Sequence, residues 1–226
     1  MDVRRGERVH LDVGEADSDS DDAGAEPSAF FERFEELDYR TPAYAATLLR
    51  HVLGALSEQD NVIVDLGSSY GINAALINHA VSLPGLYAHY RRDGKATTAW
   101  RIEEDRRFFT ATRRSDAVPV IGIDVSSSAI NYGISVGLLV AGITSDLEHD
   151  RQDHDASVLL RRSTLISASN PVEFLGSRTF ITLIGASAHP PVITGFFLRW
   201  RDVRPIAQSL AVAGYEFRAD YCSVFP

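Results

Sequence analysis

The chain has a single cysteine, Cys222, so no disulfide can form within it, and a metal site would have to draw on other ligand types. It has no run approaching the roughly 18 consecutive apolar residues of a membrane helix, which excludes the membrane as an expected partner. Its first residues, MDVRRGERVHLDVGEADSDSDD, have no apolar core of the kind a signal peptide needs. A cytoplasmic protein is the expectation. Positive charge is also in short supply: 22 basic residues face 31 acidic ones, a net charge of −9. Proteins that hold nucleic acid by neutralising phosphates carry a basic excess, so nucleic acid is not an expected partner. What the chain does have is apolar content, 45% of 226 residues. That is enough to bury a sizeable core and excludes disorder over most of the length.

The acidity is unevenly spread. Residues 1–27 hold nine acids and three bases. The stretch GEADSDSDDAGAEPS within them and just beyond has no periodic apolar positions, so residues 1–28 read as a disordered acidic tail and 29–226 as one domain. Residues 91–114 carry the opposite balance, eight bases and four acids. They belong to a segment, residues 85–117, that interrupts an otherwise regular pattern and reads as an insertion. Its aromatic residues Trp100, Phe108 and Phe109 suggest packing, either as a lid over strand ends or as a surface elaboration.

Around that insertion the pattern is one of strands alternating with helices. Thr41-Pro42 is a good helix start, and Tyr44, Leu48, Leu49, Val52, Leu53 and Leu56 recur at helical spacing. The string VIVDLGSSYGINAALINHAV reads as strand, glycine-bearing turn and helix. VPVIGIDVSSSAINYGISVGLLVAGI repeats it, with a strand near residues 120–123, Asp124 at its end and a helix closing at Gly142. Further strands are expected at residues 164–168 and 192–198. Helices are expected after Gly176 and from Pro205 to Gly214, with a terminal pair of strands at 216–219 and 221–225. Consecutive βα units imply an α/β fold built on a parallel sheet with right-handed crossovers.

In such sheets ligands bind outside the carboxyl ends of the strands, where the order reverses, so the first βα turn is the place to look. It reads Asp65-Leu66-Gly67-Ser68-Ser69-Tyr70-Gly71. The dinucleotide fingerprint G-x-G-x-x-G fails, because Ser69 and Ile72 stand where glycines are needed, and no Gly-Lys-Ser/Thr follows to make a P-loop. Asp65 and Asp124, on two predicted strand ends, can accept from hydroxyls or ammonium groups, and the glycines allow close backbone approach. Each residue also has a plainer reading. Asp124 can cap the next helix with Ser126, Gly67 and Gly71 can mark an ordinary tight turn, and Asp146 can be a loop acid.

Taken in order, these residues resemble the class I S-adenosylmethionine-dependent methyltransferases. Asp65, Gly67 and Gly71 match the acidic and outer glycine positions of motif I, D/E-x-G-x-G-x-G, with Ser69 at the middle glycine. The strings DLGSSYGINAAL and GIDVSSSAINYG, and the element Asp38-Tyr39-Arg40-Thr41-Pro42, are similar to a small bacterial branch of that family. The resemblance implies a Rossmann-like open sheet of about seven strands with an antiparallel terminal strand. It implies S-adenosyl-L-methionine as cofactor, bound by Asp65 and the turn Gly67, Ser68, Ser69, Tyr70 and Gly71. Asp124 and the adjoining Val125 would meet the ribose, and Asp146 and Leu147 the adenine.

The segment Ser169-Asn170-Pro171-Val172-Glu173-Phe174 is similar to the N/D-P-P-Y/F motif of amine methylators, but Val172 and the late aromatic break the match, so amine specificity is not carried over. Ser169 is assigned to the cofactor, and Asn170 and Tyr39 are the candidate catalytic residues, with packing as the rival role for Tyr39. His189 reads as a solvated turn residue. His149 and His154 are five apart rather than four and sit in a polar stretch with Asp153, so no metal is expected. The function implied is methylation of a small molecule, of the kind met in secondary metabolism. Two alternatives are an aminocarboxypropyl transferase or cyclase that releases methylthioadenosine, and a catalytically inactive binding scaffold. The sequence does not distinguish a monomer from a homodimer.

Overall fold

The computed structural model describes residues 27–56, 60–91, 98–149, 154–169, 176–197 and 202–216. The apolar run ahead of Gly67 forms β1 (Ile63–Leu66), and β2 (Val120–Ile123) and β4 (Leu165–Ala168) are likewise buried at every position. Unbroken burial without polar alternation is what strands covered on both faces require. β3 (Ala141–Ile143) and β5 (Val192–Gly195) are more exposed and form the edges. All five strands are parallel, in the order β3-β2-β1-β4-β5. The chain adds strands outward from β1 in one direction, then returns to lay β4 on the other side. The topological switch point therefore lies between β1 and β4.

One face is covered by α1 (Ser28–Glu36), α2 (Thr41–Ala55), α3 (Ile72–Asn78), α4 (Leu83–Tyr90), α5 (Thr98–Thr112) and α6 (Ser127–Ser135), whose Phe31, Leu49, Leu86, Phe109 and Ile130 share a core with Ile63, Val120 and Leu165. The other face is covered by α7 (His154–Leu160), α8 (Ser177–Ala186) and α9 (Arg204–Val212), which pack Leu160, Phe180, Leu183 and Ile206 against Val64, Leu66, Ile121 and Ile166. Because side chains alternate along a strand, Asp65 points with Ile63 toward the α1–α6 face. In register it lies between Gly122 of β2 and Ser167 of β4.

Three expectations are adjusted. The helix expected to run to Gly142 ends at Ser135. Gly137 turns left-handed (φ 80°), Leu138 and Leu139 donate back to the Gly133 carbonyl, and Val140 starts a new ladder on Val120. Gly142 instead lies in β3, where a Cβ would come within 2.2 Å of Ile130 Cγ2. The insertion resolves into most of α4 together with α5. His89 and Tyr132 meet Asp105, Arg106 reaches the Ser135 carbonyl, and Ala80 donates to the Thr112 carbonyl, so α5 lies on the helical layer rather than across the strand ends. The terminal strand pair falls on residues of which only Glu216 is described, so five parallel strands are what the structure shows. No described helix is long and apolar enough to cross a membrane.

Candidate functional site

The turn after β1 is built from left-handed residues. Gly67 (φ 66°), Ser69 (φ 46°) and Gly71 (φ 81°) all occupy that region, and Gly71 caps the start of α3. Two of the three are glycine, for which it carries no penalty, while Ser69 is held there despite its side chain. What holds it is Asp124. Its Oδ2 accepts from the Ser69 amide at 2.8 Å, and Oδ1 accepts from the Ser126 amide at 3.0 Å. The carboxylate at the end of β2 thus clamps the turn at the end of β1 and orders its own loop. Ser126 in turn caps α6 by accepting from the Ala129 amide. Val125, beside it, is exposed.

Beneath the turn sits Asp65, fully buried. Asn73, the second residue of α3, donates its Nδ2 to both carboxyl oxygens (2.9 and 3.1 Å) and to Ser169 Oγ at 2.5 Å. This amide therefore bridges the switch point from β1 to the end of β4. Burial pushes the Asp65 carboxyl up to about 7, against the pull of the Asn73 hydrogen bonds, with the Asp124 charge adding to the rise. The surroundings hold unspent hydrogen-bonding capacity. Ser68 Oγ, Asn73 Oδ1 and Ser167 Oγ are buried without a partner among the described residues. Gly122 makes room for Ser68, since a Cβ there would come within 2.6 Å of its Oγ.

No protein-family model, curated protein or solved structure matches the chain. The site therefore rests on its own geometry.

Tyr39 stands over the β4 side, its hydroxyl donating to the Ser169 carbonyl at 3.4 Å, while Tyr87 donates to the Tyr39 carbonyl at 2.8 Å. Burial pushes the Tyr39 phenol up to about 12, so at neutral pH it is a donor and not a base. Tyr70 leans on Phe30 (5.2 Å between rings) and Tyr132 (5.6 Å), which ties the turn to α1 and α6. On the loop leaving β3, Asp146 accepts from the Glu148 amide and from the His149 amide and ring. Those bonds, that of the His149 ring above all, hold its carboxyl below the usual range. Leu147 is buried in the α7–α9 core.

The structure thus brings Asp65, the Gly67–Gly71 turn, Asp124 and Ser169 together at the switch point, with Tyr39 at its β4 side and Asp146 and Leu147 on the loop after β3. Asn170 lies outside the described residues, as do Asp153 and residues 171–175. His189 is exposed. Four of the turn amides are already engaged within the protein. Those of Gly67 and Ser68 donate to the Ile123 carbonyl, that of Ser69 to Asp124 and that of Gly71 to the Ser68 carbonyl. What the site offers is mainly acceptors.

Two residues were missed by sequence reasoning. Asn73 is an amide in a helix whose every residue is buried, and a polar position near the start of the otherwise apolar INAALI was the available signal. Glu148 accepts from the Gly176 and Thr179 amides and the Thr179 hydroxyl, tying the β3 loop to the start of α8. Nothing in its local sequence marked it.

Proposed function

We propose that the chain is an S-adenosylmethionine-dependent methyltransferase acting on a small-molecule acceptor. The observation that carries this reading is the clamp between Asp124 and the left-handed Gly67–Gly71 turn at the switch point of an all-parallel 3-2-1-4-5 sheet. The finer architecture, about seven strands with an antiparallel last one, belongs to the same reading. The set of acceptors suits the cofactor's cationic and hydroxyl-bearing parts. Each Asp124 oxygen keeps a lone pair beyond its one amide bond, which fits a ribose diol, and the exposed Val125 offers an apolar surface beside it. The partnerless Ser68, Asn73 and Ser167 atoms around Asp65 are the capacity expected where a polar ligand or ordered water completes the hydrogen bonding.

When bound, the cofactor supplies an electrophilic methyl group. The chain's own part is alignment. Asp65 and Asn73 fix the height of the turn over β1, Asn73 and Ser169 lock the β4 end to it, and the protonated Tyr39 hydroxyl holds the Ser169 carbonyl. In this reading Asn170 keeps its candidate catalytic role toward the acceptor.

Calorimetric titration with S-adenosylmethionine tests the proposal. Binding is expected, and Asp124→Ala should weaken it by at least about tenfold, the equivalent of one charge-assisted hydrogen bond. Absence of binding by the intact chain would end the reading. In a turnover mixture the expected product is adenosylhomocysteine; methylthioadenosine would transfer the assignment to the aminocarboxypropyl chemistry.

A further inference from the structure

A second concentration of unspent polar groups lies at the opposite edge of the sheet, where the strands begin. A cavity of about 240 Å³ opens between the carboxyl ends of α3 and α6 and the last turns of α5. Asn78, next to it, exchanges hydrogen bonds with Val118 just ahead of β2, which places the cavity at the far end of the strands from Asp65 and Asp124. It is thus independent of the cofactor reading.

Its lining combines three chemistries. Phe109, Ile134 and Val136 give it apolar walls, Arg106 and Arg113 bring two guanidinium groups, and His79 contributes a buried imidazole. No carboxylate lines it. The helix carboxyl ends contribute roughly half a negative charge each and Glu103 pairs with Arg106, so Arg113 is the guanidinium left to meet an anion. Arg106 is partly committed, donating to the Ser135 carbonyl at 2.9 Å and pairing with Glu103. Arg113 is exposed and has no ion pair or hydrogen bond from its guanidinium among the described residues.

The tautomer of His79 follows from its partner. Nδ1 lies 2.8 Å from the Phe109 carbonyl, which can only accept, so Nδ1 carries the hydrogen and Nε2 is a bare acceptor. Nε2 is buried and has no partner among the described residues. Burial, helped by the Arg113 charge, holds the ring below its usual pKa, so Nε2 stays an acceptor at neutral pH. An unpaired buried acceptor is costly, and a ligand hydroxyl would relieve it.

We propose that this cavity binds a small hydroxylated aromatic carboxylate, with its carboxylate on Arg113, its ring between Phe109 and Ile134, and its hydroxyl hydrogen donated to His79 Nε2. The size agrees, because the cavity is smaller than the several hundred Å³ typical of drug-sized ligand sites. A bidentate guanidinium–carboxylate contact supplies orientation as well as attraction.

The test is titration of the full chain with 4-hydroxybenzoate, followed by calorimetry and by the NMR signals of the histidine rings. Saturable binding with Kd below about 1 mM is expected, with a shift of the His79 ring signals. Arg113→Gln, at an exposed position where folding is not at stake, should weaken it at least about tenfold, and benzoate, which lacks the hydroxyl, should bind the native chain at least about fivefold more weakly. No saturation, binding that Arg113→Gln leaves unchanged, or equal binding of benzoate would each overturn the proposal.

Discussion

Ser69 keeps a left-handed backbone at a position where glycine would do so freely. The left-handed region costs a side-chain-bearing residue about 1–2 kcal/mol, and the 2.8 Å hydrogen bond from its amide to Asp124 offsets that cost. Ser69→Gly should therefore be tolerated, with stability within about 1 kcal/mol of the native chain, since relief of strain and added chain entropy oppose each other. A β-branched substitution, Ser69→Val, should lower stability by about 2 kcal/mol or more, because branching adds to the strain. Urea unfolding of both variants decides the matter, and a destabilised Ser69→Gly would show that the strain is not there.

Asp65 makes a prediction in pH. Its folded pKa of about 7 lies above the unfolded 3.8, so the folded chain binds the proton more tightly. Its contribution is most favourable below the unfolded value, declines as pH rises from about 4 through 7, and is constant above that. Asp65→Asn removes the titration, so between about pH 4.5 and 8 the native urea midpoint should fall more than that of the variant, by a difference worth up to a few kcal/mol. Parallel pH profiles for the two proteins would refute the burial argument.

Among the elements, α5 is held by a buried polar chain. Asp105 takes His89 Nε2 at 2.6 Å on one oxygen and the Tyr132 hydroxyl at 2.8 Å on the other, and Tyr132 meets Tyr90 at 2.6 Å. All four side chains are buried, and His89 stacks on Phe108 at 3.9 Å. Asp105→Ala would strand the two groups it satisfies, costing about 3–5 kcal/mol, whereas Tyr132→Phe removes one link and should cost about 1–3 kcal/mol. If chemical denaturation shows less than about 1 kcal/mol for Asp105→Ala, α5 is anchored by its apolar face alone. This network was not legible in the sequence, because its bonded pairs are 16 to 42 residues apart on three helices and the stretch around them reads as solvated charge.

The strand–turn–helix units were legible for the opposite reason. Ile63–Leu66, apolar but for Asp65, and Val120–Ile123 are short β-favouring runs followed by a glycine and an acid respectively, signals that act locally. β3 was not, since GLLVAGI continues the apolar pattern of α6, and only the left-handed Gly137 separates helix from strand. Likewise the positions of Asp65 and Asp124 could be read, but the bonds between Asp124 and Ser69, and from Asn73 to Asp65 and Ser169, are products of tertiary approach.

On the scale of the whole molecule, charge and chemistry separate along the strand direction. The acid-rich switch point occupies the carboxyl ends of the strands, and the Arg106–Arg113 cavity the amino ends, with the α1–α6 core between them. The net −9 of the sequence conceals this division. The two proposed ligands differ accordingly, a cation-bearing cofactor at one end and an organic anion at the other.

The strand order also governs how the chain emerges from the ribosome. β1 is the central strand and pairs on one side with β2, complete at residue 123, but on the other only with β4, which ends at residue 168. Throughout the synthesis of the intervening residues, one full edge of Ile63–Leu66 has no partner, and an open hydrophobic edge is a template for pairing between chains. A fragment truncated before Leu165 is therefore expected in the insoluble fraction on expression, and one extended past Ile206 in the soluble fraction. A soluble, monomeric short fragment would show that the edge is protected during synthesis by something other than β4.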